Sequence, residues 1–278
     1  MRLPLASTLP VREHTAVYSR AFGLRQLRGT GELVRLFVER DLKLRYAQTI
    51  LGPIWVILQP LAPALLFTFV FTKVVDVKTG GVPYLLFITA AMAPWTLVSR
   101  AVARGGPSLI AERSLVTKVY FPRLTGQLAV VISSFIDLLV SLVLVALAML
   151  HAHWMPTWRL VVLPVVMLWA GVLGLGTSVL TAAFSVKHRD VVQALPLLTQ
   201  CWMYVTPIVY PISSVQKLRP LILVNPMTSL VEATRWSIIG RSSLSPVWMV
   251  IGAGMSVTIL VSGLLAFHRA DWDLADVL

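Results

Sequence analysis

From Leu51 to Thr72 the chain reads LGPIWVILQPLAPALLFTFVFT, without one charged side chain. A run of that length constrains the fold strongly. About twenty residues are needed to cross the ~30 Å apolar core of a bilayer, and a helix satisfies every backbone hydrogen bond inside one segment. Five further runs have similar length and polarity: Pro83 to Ala103, Gly126 to Leu150, Leu160 to Val186, Val191 to Pro207 and Val247 to Phe267. Val191 to Pro207 is the shortest of them. The pattern predicts an all-α integral membrane protein with six transmembrane helices. Composition excludes the soluble classes: 57% of residues are hydrophobic and 13% charged, against roughly 25% charged in a soluble domain.

The net charge of +12 would point to nucleic acid in a soluble chain. Here it is read as charge near anionic lipid, with membrane lipids and not nucleic acid as the partner. Glu32 to Tyr46, just before the first run, has helical sidedness. At about 100° per residue, Leu33, Leu36, Phe37 and Leu44 gather on one face, with Glu32, Arg35, Glu39 and Lys43 opposite. This predicts an amphipathic helix in the headgroup layer, with Arg40, Lys43 and Arg45 meeting lipid phosphates. Met1 to Gly31, broken by Pro4, Pro10, Gly23, Gly29 and Gly31, reads as a flexible basic arm. Residues 32–278 read as one membrane domain. The arm has no apolar core before a cleavage site, so the first span is expected to stay as an anchor. Of the 24 Lys and Arg, seventeen fall on the side of the N-terminus and seven on the other. Both termini are therefore expected on the cytoplasmic side of the cytoplasmic membrane.

Two connections are too long for mere links. Gly105 to Leu124 reads GGPSLIAERSLVTKVYFPRL, a Gly-Gly-Pro break, Ser108 placed to cap, a short mixed stretch and a Phe-Pro stop. It predicts a two-turn helix parallel to the membrane, offering Glu112, Arg113 and Lys118 to the cytoplasm. Thr206 to Pro246 is apolar but broken at Pro207, Pro211, Pro220 and Pro226. Within it, Asn225-Pro226 is a helix start, with Asn as N-cap and Pro at the first helical position, and Gly240 is a stop. Met227, Leu230, Val231, Thr234 and Ile238 give that helix an apolar side. Apolar helices too short to span, set between spans, are re-entrant candidates, and irregular backbone at membrane depth survives only against protein or a wet cavity.

No GxxxxGK[ST] phosphate loop is present, so no ATP hydrolysis is expected of this chain. The five histidines, at 14, 151, 153, 188 and 268, form no metal-ligand motif, and no catalytic, cofactor or metal site is expected. Asp137 is the only carboxylate within the spans. Such an acid is a functional candidate by default, or else a structural partner for Ser133, Ser134 or an arginine of another helix.

Taken together, RDLKLRYAQTILGPIWVILQPL, SLVTKVYFPRL, TPIVYP and LVNPMTSLVEATRW resemble the permease subunits of ABC transporters that export polysaccharides. Their cargoes are O-antigen, galactan, teichoic acid or related lipid-linked glycans. The resemblance covers Glu32 to Phe267. It implies an interface helix at 32–46 and a coupling helix at about 109–120, seated on a separate ATPase through Glu112, Arg113, Lys118 and Tyr120. It also implies re-entrant outer gate helices at about 213–240, with Pro207, Asn225, Pro226, Glu232 and Arg235 in the gate. Such permeases are homodimers around one channel and work with two copies of a cytoplasmic ATPase, which binds the ATP and Mg.

Sugar rings present C–H faces that stack on aromatic planes, so Trp55, Phe67, Phe71, Tyr84, Trp95, Trp202, Tyr204 and Tyr210 are candidates for a glycan channel. Interface anchoring and ordinary packing compete for each of them. Three other functions stay open. A drug or lipid exporter of the same superfamily would not depend on those aromatics, and an ion-coupled transporter would depend on Asp137. A glycan-processing enzyme would need outward carboxylates, of which only Asp76 and Glu232 are available.

Overall fold

The computed structural model describes residues 24–46, 49–50, 52, 54–111, 124–188 and 190–276. These are helical almost throughout. In order they form α1 (Leu24–Tyr46), α2 (Ile54–Phe69, continued by a π-turn over Val70–Val74), α3 (Tyr84–Ala111), α4 (Leu124–His151) and α5 (Leu163–Lys187, preceded by a 3-10 turn at Trp158–Val162). After these come α6 (Asp190–Val205), a 3-10 segment (Ile212–Leu218), α7 (Arg219–Leu223), α8 (Pro226–Ile239) and α9 (Pro246–Asp276).

Five segments among the described residues are long and apolar enough to cross a membrane: Ile54–Val74, Tyr84–Leu109, Leu124–His151, Trp158–Lys187 and Pro246–Arg269. The sixth expected span, Val191 to Pro207, forms α6. That helix has 16 residues, about 24 Å of axis at 1.5 Å per residue, and Pro196 lies inside it. It begins with Asp190 and gives way to turns from Thr206 onward, so its apolar run is cut short at both ends.

α3 is the centre of the bundle. It packs on α2, α4, α5, α6 and α8, while α1 lies along α4 and α9 lies along α5. Burial follows this order: in the most apolar stretch of each span, 83% of residues are buried in α3, only 11% in α2 and 22% in α9. α5 and α9 approach closely because small residues face each other. A Cβ on Gly176 would sit 2.7 Å from the Leu260 backbone nitrogen, and one on Gly263 would sit 2.7 Å from the Gly176 carbonyl oxygen.

Three local expectations change. α1 begins at Leu24, running through Gly29 and Gly31, so part of the expected arm is helical. Glycine costs a helix interior only about 1 kcal/mol, and no proline interrupts this stretch. Gly105-Gly106-Pro107 does not break α3, which continues to Ala111. Those glycines serve packing: a Cβ on Gly105 would lie 1.8 Å from Ser178 Oγ, and one on Gly106 would lie 2.2 Å from Leu195 Cδ1. Leu109 to Ala111 therefore belong to α3, and the rest of the expected coupling helix, with Glu112, Arg113, Lys118 and Tyr120, lies outside the described residues. Finally, α8 has no solvated side. Every residue but Trp236 is buried, because α3, α5, α9 and the 3-10 turn before α5 surround it.

Candidate functional site

Polar side chains concentrate at two places along α3. Phe87 and Arg104, which mark them, are seventeen residues apart, about 25 Å along a helix axis.

At the Arg104 end, Asp137 of α4 is 5% exposed and meets two arginines. Arg45 Nη1, from the last turn of α1, donates to both Asp137 carboxylate oxygens at 2.9 and 3.0 Å. Arg104 Nη2, from α3, donates to Asp137 Oδ2 at 2.8 Å. Arg45 Nη2 also donates to Asp41 at 2.8 Å, and Arg104 lies 3.6 Å from the same carboxylate. Two acids and two arginines thus form one neutral unit that ties α1, α3 and α4 together. Of the partners expected for Asp137, the structure supplies arginine of another helix. Ser134 instead donates to the Val130 carbonyl, whereas Ser133 accepts a long 3.4 Å contact from Arg104. One turn back on α3, Arg100 donates to Gln59 of α2. Arg45, Thr49, Trp55, Gln59, Arg100 and Arg104 surround a cavity of about 360 Å³. Arg40 and Lys43 are exposed, as are the apolar Leu36 and Leu44. α1 therefore turns Asp41 and Arg45 toward the bundle and Leu36 and Leu44 away.

Beside this cluster Gln127 joins three helices. Its amide nitrogen donates to the Gly105 carbonyl at 3.2 Å and to Ser108 Oγ at 2.6 Å, and its Oε1 accepts from Ser178 Oγ at 2.6 Å. Ser108 is thus a partner for Gln127 inside α3 and not a cap.

At the other end, Arg235 and Glu232 of α8 form an ion pair at 2.8 Å with side chains 3% and 2% exposed. Arg235 also donates to the carbonyls of Pro207 and Ile208, both at 2.8 Å. Burial lowers the Arg235 pKa, and Glu232 opposes that shift. The second Glu232 oxygen accepts from the Ser243 amide at 2.8 Å. One ion pair therefore fixes both chain segments that flank α8. Asn225 caps α8 as expected, its Oδ1 accepting from the Met227 amide at 3.0 Å, and Gly240 closes it at φ 81°. The same Oδ1 accepts from Trp202 Nε1 at 3.0 Å, and Asn225 Nδ2 donates to Thr206 Oγ1 at 2.8 Å. Pro207 and Pro226 are buried beside it.

The eight aromatic candidates separate into groups. Phe67, Phe71 and Tyr84 form a row, Phe71 and Tyr84 stacked with centroids 5.8 Å apart. Tyr84 Oη donates to the Val209 carbonyl at 2.6 Å. Trp95 and Trp202 meet edge to face at 5.6 Å. Tyr210 Oη donates to the Tyr204 carbonyl at 2.9 Å, and burial pushes its phenol up. Trp55 lies apart, in the arginine-lined cavity. Tyr84 and Trp95 are in the core, whereas Trp55 and Tyr204 are exposed.

Arg104, Arg100, Gln59 and Gln127 are site residues that the sequence reading does not single out. Their signal is two arginines four residues apart at the end of a long apolar run, and one glutamine in each of two others. Among the described residues no group of three metal-ligating side chains forms.

The family model for "ABC-2 type transporter" matches residues 32–239. The chain is 34% identical over 207 residues to "O-antigen export system permease protein RfbA" of Myxococcus xanthus, covering 73% of this chain and 78% of that one. Two proteins of the same name from Klebsiella pneumoniae are 23% and 25% identical, over 249 and 250 residues. Each match covers 89% of this chain and 95% of the relative.

Proposed function

Because the chain belongs to the ABC-2 type transporter family, we propose that it is the permease subunit of an ATP-driven exporter that carries a lipid-linked glycan of the O-antigen kind across the cytoplasmic membrane. The observation that carries this reading is the similarity, over most of both chains, to permeases named for O-antigen export.

Two copies of the chain form the conduit, and two cytoplasmic ATPase subunits, holding ATP and Mg, drive it. Both termini face the cytoplasm. α1 lies in the headgroup layer, with exposed Leu36 and Leu44 toward lipid and Arg40 and Lys43 toward phosphates. The segment from Leu109 to Tyr120 rests on the ATPase through Glu112, Arg113, Lys118 and Tyr120. ATP binding draws the ATPase subunits together, that segment passes the movement to α3 and α4, and a path opens between the two copies. On the outer side the broken stretch at 213–240 is the gate, with Pro207, Asn225, Pro226, Glu232 and Arg235 holding it. Exposed or half-buried aromatics, namely Trp55, Phe67, Phe71, Trp202, Tyr204 and Tyr210, suit contact with passing sugar rings better than buried Tyr84 and Trp95.

Asp137 is occupied by two arginines, which gives it a structural task that the ion-coupled alternative does not require. The test is reconstitution with the partner ATPase in proteoliposomes. ATP-dependent transfer of the glycan supports the proposal, and uphill transport by this chain alone overturns it. Charge reversal at Glu112 together with Lys118 should abolish co-purification of the ATPase; unchanged association would exclude the assigned contact.

A further inference from the structure

A second cavity, of about 200 Å³, opens at the Phe87 end of α3. Segments far apart in sequence build it: the connection before α3, α3 itself, the backbone after α6, and α8 with the turn that follows it. Its inner wall includes the Glu232–Arg235 pair, whose side chains are 2% and 3% exposed. Lys78 and Arg241 also line it, and both are exposed. Arg241 donates to the Gly80 carbonyl and lies 5.8 Å from the centroid of the Trp154 ring, so both of these partners are neutral. Among the described lining residues Glu232 is the one carboxylate, and Arg235 already balances it. Hydroxyls of Thr79, Ser213, Ser242 and Ser243 complete the polar part of the wall.

We propose that this cavity binds one acidic sugar unit, its carboxylate or phosphate held by Lys78 and Arg241 and its ring hydroxyls by the serines and Glu232. That the sugar belongs to the exported glycan, which would then carry acidic units, rests on the function proposed above; the recognition chemistry does not.

Charge selects the acid. A guanidinium offers paired N–H donors that match carboxylate or phosphate oxygens, and an ammonium adds a compact point charge. The connections on this side of the chain carry seven Lys and Arg against Asp76 and Glu232, so their summed field draws an anion from solution toward the cavity. Hydroxyls select the ring. A serine or threonine hydroxyl both donates and accepts, as a sugar hydroxyl does, and a carboxylate oxygen has lone pairs for more than one donor. Glu232 Oε2 accepts from the Ser243 amide at 2.8 Å, which fixes that acceptor before a ligand arrives. Arg241 is likewise tethered to the Gly80 carbonyl, in a turn that Gly80 and Gly81 make at φ 67° and 83°. Groups already held in place lower the ordering cost of binding. Size limits the ligand: the cavity is smaller than the roughly 300–1,000 Å³ of drug-sized pockets, so it suits a single unit and not a chain.

The experiment uses the full-length protein in phosphatidylcholine nanodiscs at fixed ionic strength, with binding read by saturation-transfer NMR. Glucuronate and glucose 6-phosphate are the probes, glucose is the neutral control and acetate the control for charge without a ring. At least one probe should bind saturably, and the tighter of the two identifies the acid. Glucose and acetate should each compete at least tenfold less well than the probe does. Lys78→Gln with Arg241→Gln should weaken binding at least tenfold with an unchanged unfolding midpoint, because both side chains are exposed and neither belongs to an ion pair. Arg241→Lys should retain part of the binding. Lys78→Gln alone, which breaks no hydrogen bond among the described residues, should weaken it severalfold. No saturable binding of either probe, equal binding by wild type and the double variant, or competition by glucose or acetate as strong as by the probe overturns the site. Failure of the transport reading would instead appear as no ATP-dependent glycan transfer by the wild-type protein with probe binding intact.

Discussion

The guanidinium carbon of Arg235, on α8, lies 3.6 Å from the ring centroid of Phe87 on α3. The same guanidinium donates to Glu232 and to the Pro207 and Ile208 carbonyls, so one side chain joins α8, α3 and the backbone after α6. Removing one member of a buried ion pair costs about 3–5 kcal/mol, because the other charge is left without compensation. Arg235→Met should destabilise the detergent-solubilised protein by about that amount. A Glu232→Leu/Arg235→Met double variant should lose less than the sum of the two single changes, read from unfolding midpoints as a double-mutant cycle.

Asp137 holds two arginines from different helices, so Asp137→Asn leaves Arg45 and Arg104 facing each other and Asp41 alone. The expected loss is about 3–5 kcal/mol. α1 should detach first, since its polar tie to α4 runs through Arg45. Limited proteolysis within α1 would report this, and protection equal to wild type would contradict the assigned link.

Gly176 and Gly254 offer a matched comparison. A Cβ on Gly176 meets the Leu260 backbone at 2.7 Å, while one on Gly254 meets nothing within 4 Å. Overpacking typically costs about 1–3 kcal/mol, and here a backbone atom blocks relief by rotation. Gly176→Ala should therefore lower the unfolding midpoint, whereas Gly254→Ala should leave it unchanged or raise it, since alanine favours a helix by about 1 kcal/mol over glycine.

Asn225→Ala removes the α8 cap, worth about 0.5–2 kcal/mol, and also the contacts to Trp202 and Thr206. Asn225→Asp keeps both acceptor roles and loses only the donation to Thr206. The aspartate variant should be nearer to wild type in stability, and tryptophan fluorescence should change more for alanine because Trp202 loses its partner.

The start and stop of α8 are legible in the sequence because capping is local: Asn225, Pro226 and Gly240 act on the backbone within a few residues of themselves. The start of α1 at Leu24 is not, because glycines at 29 and 31 weaken a helix without forbidding it. The Gly-Gly-Pro of α3 misleads for a related reason. Gly105 and Gly106 are small because Ser178 and Leu195 press on them, and nothing in the local sequence separates that from a break.

By itself the sequence determined that this chain lives in a membrane, where most of its crossings begin and end, and how α8 is capped, since each depends on the polarity and backbone chemistry of one continuous segment. Only the tertiary structure decided which arginines hold Asp137, that α8 is buried nearly all round, and that Arg100, Gln59 and Trp55 share a cavity. Those outcomes depend on which helices come to lie side by side, and the packing energy that selects neighbours is spread over contacts between residues far apart in the chain.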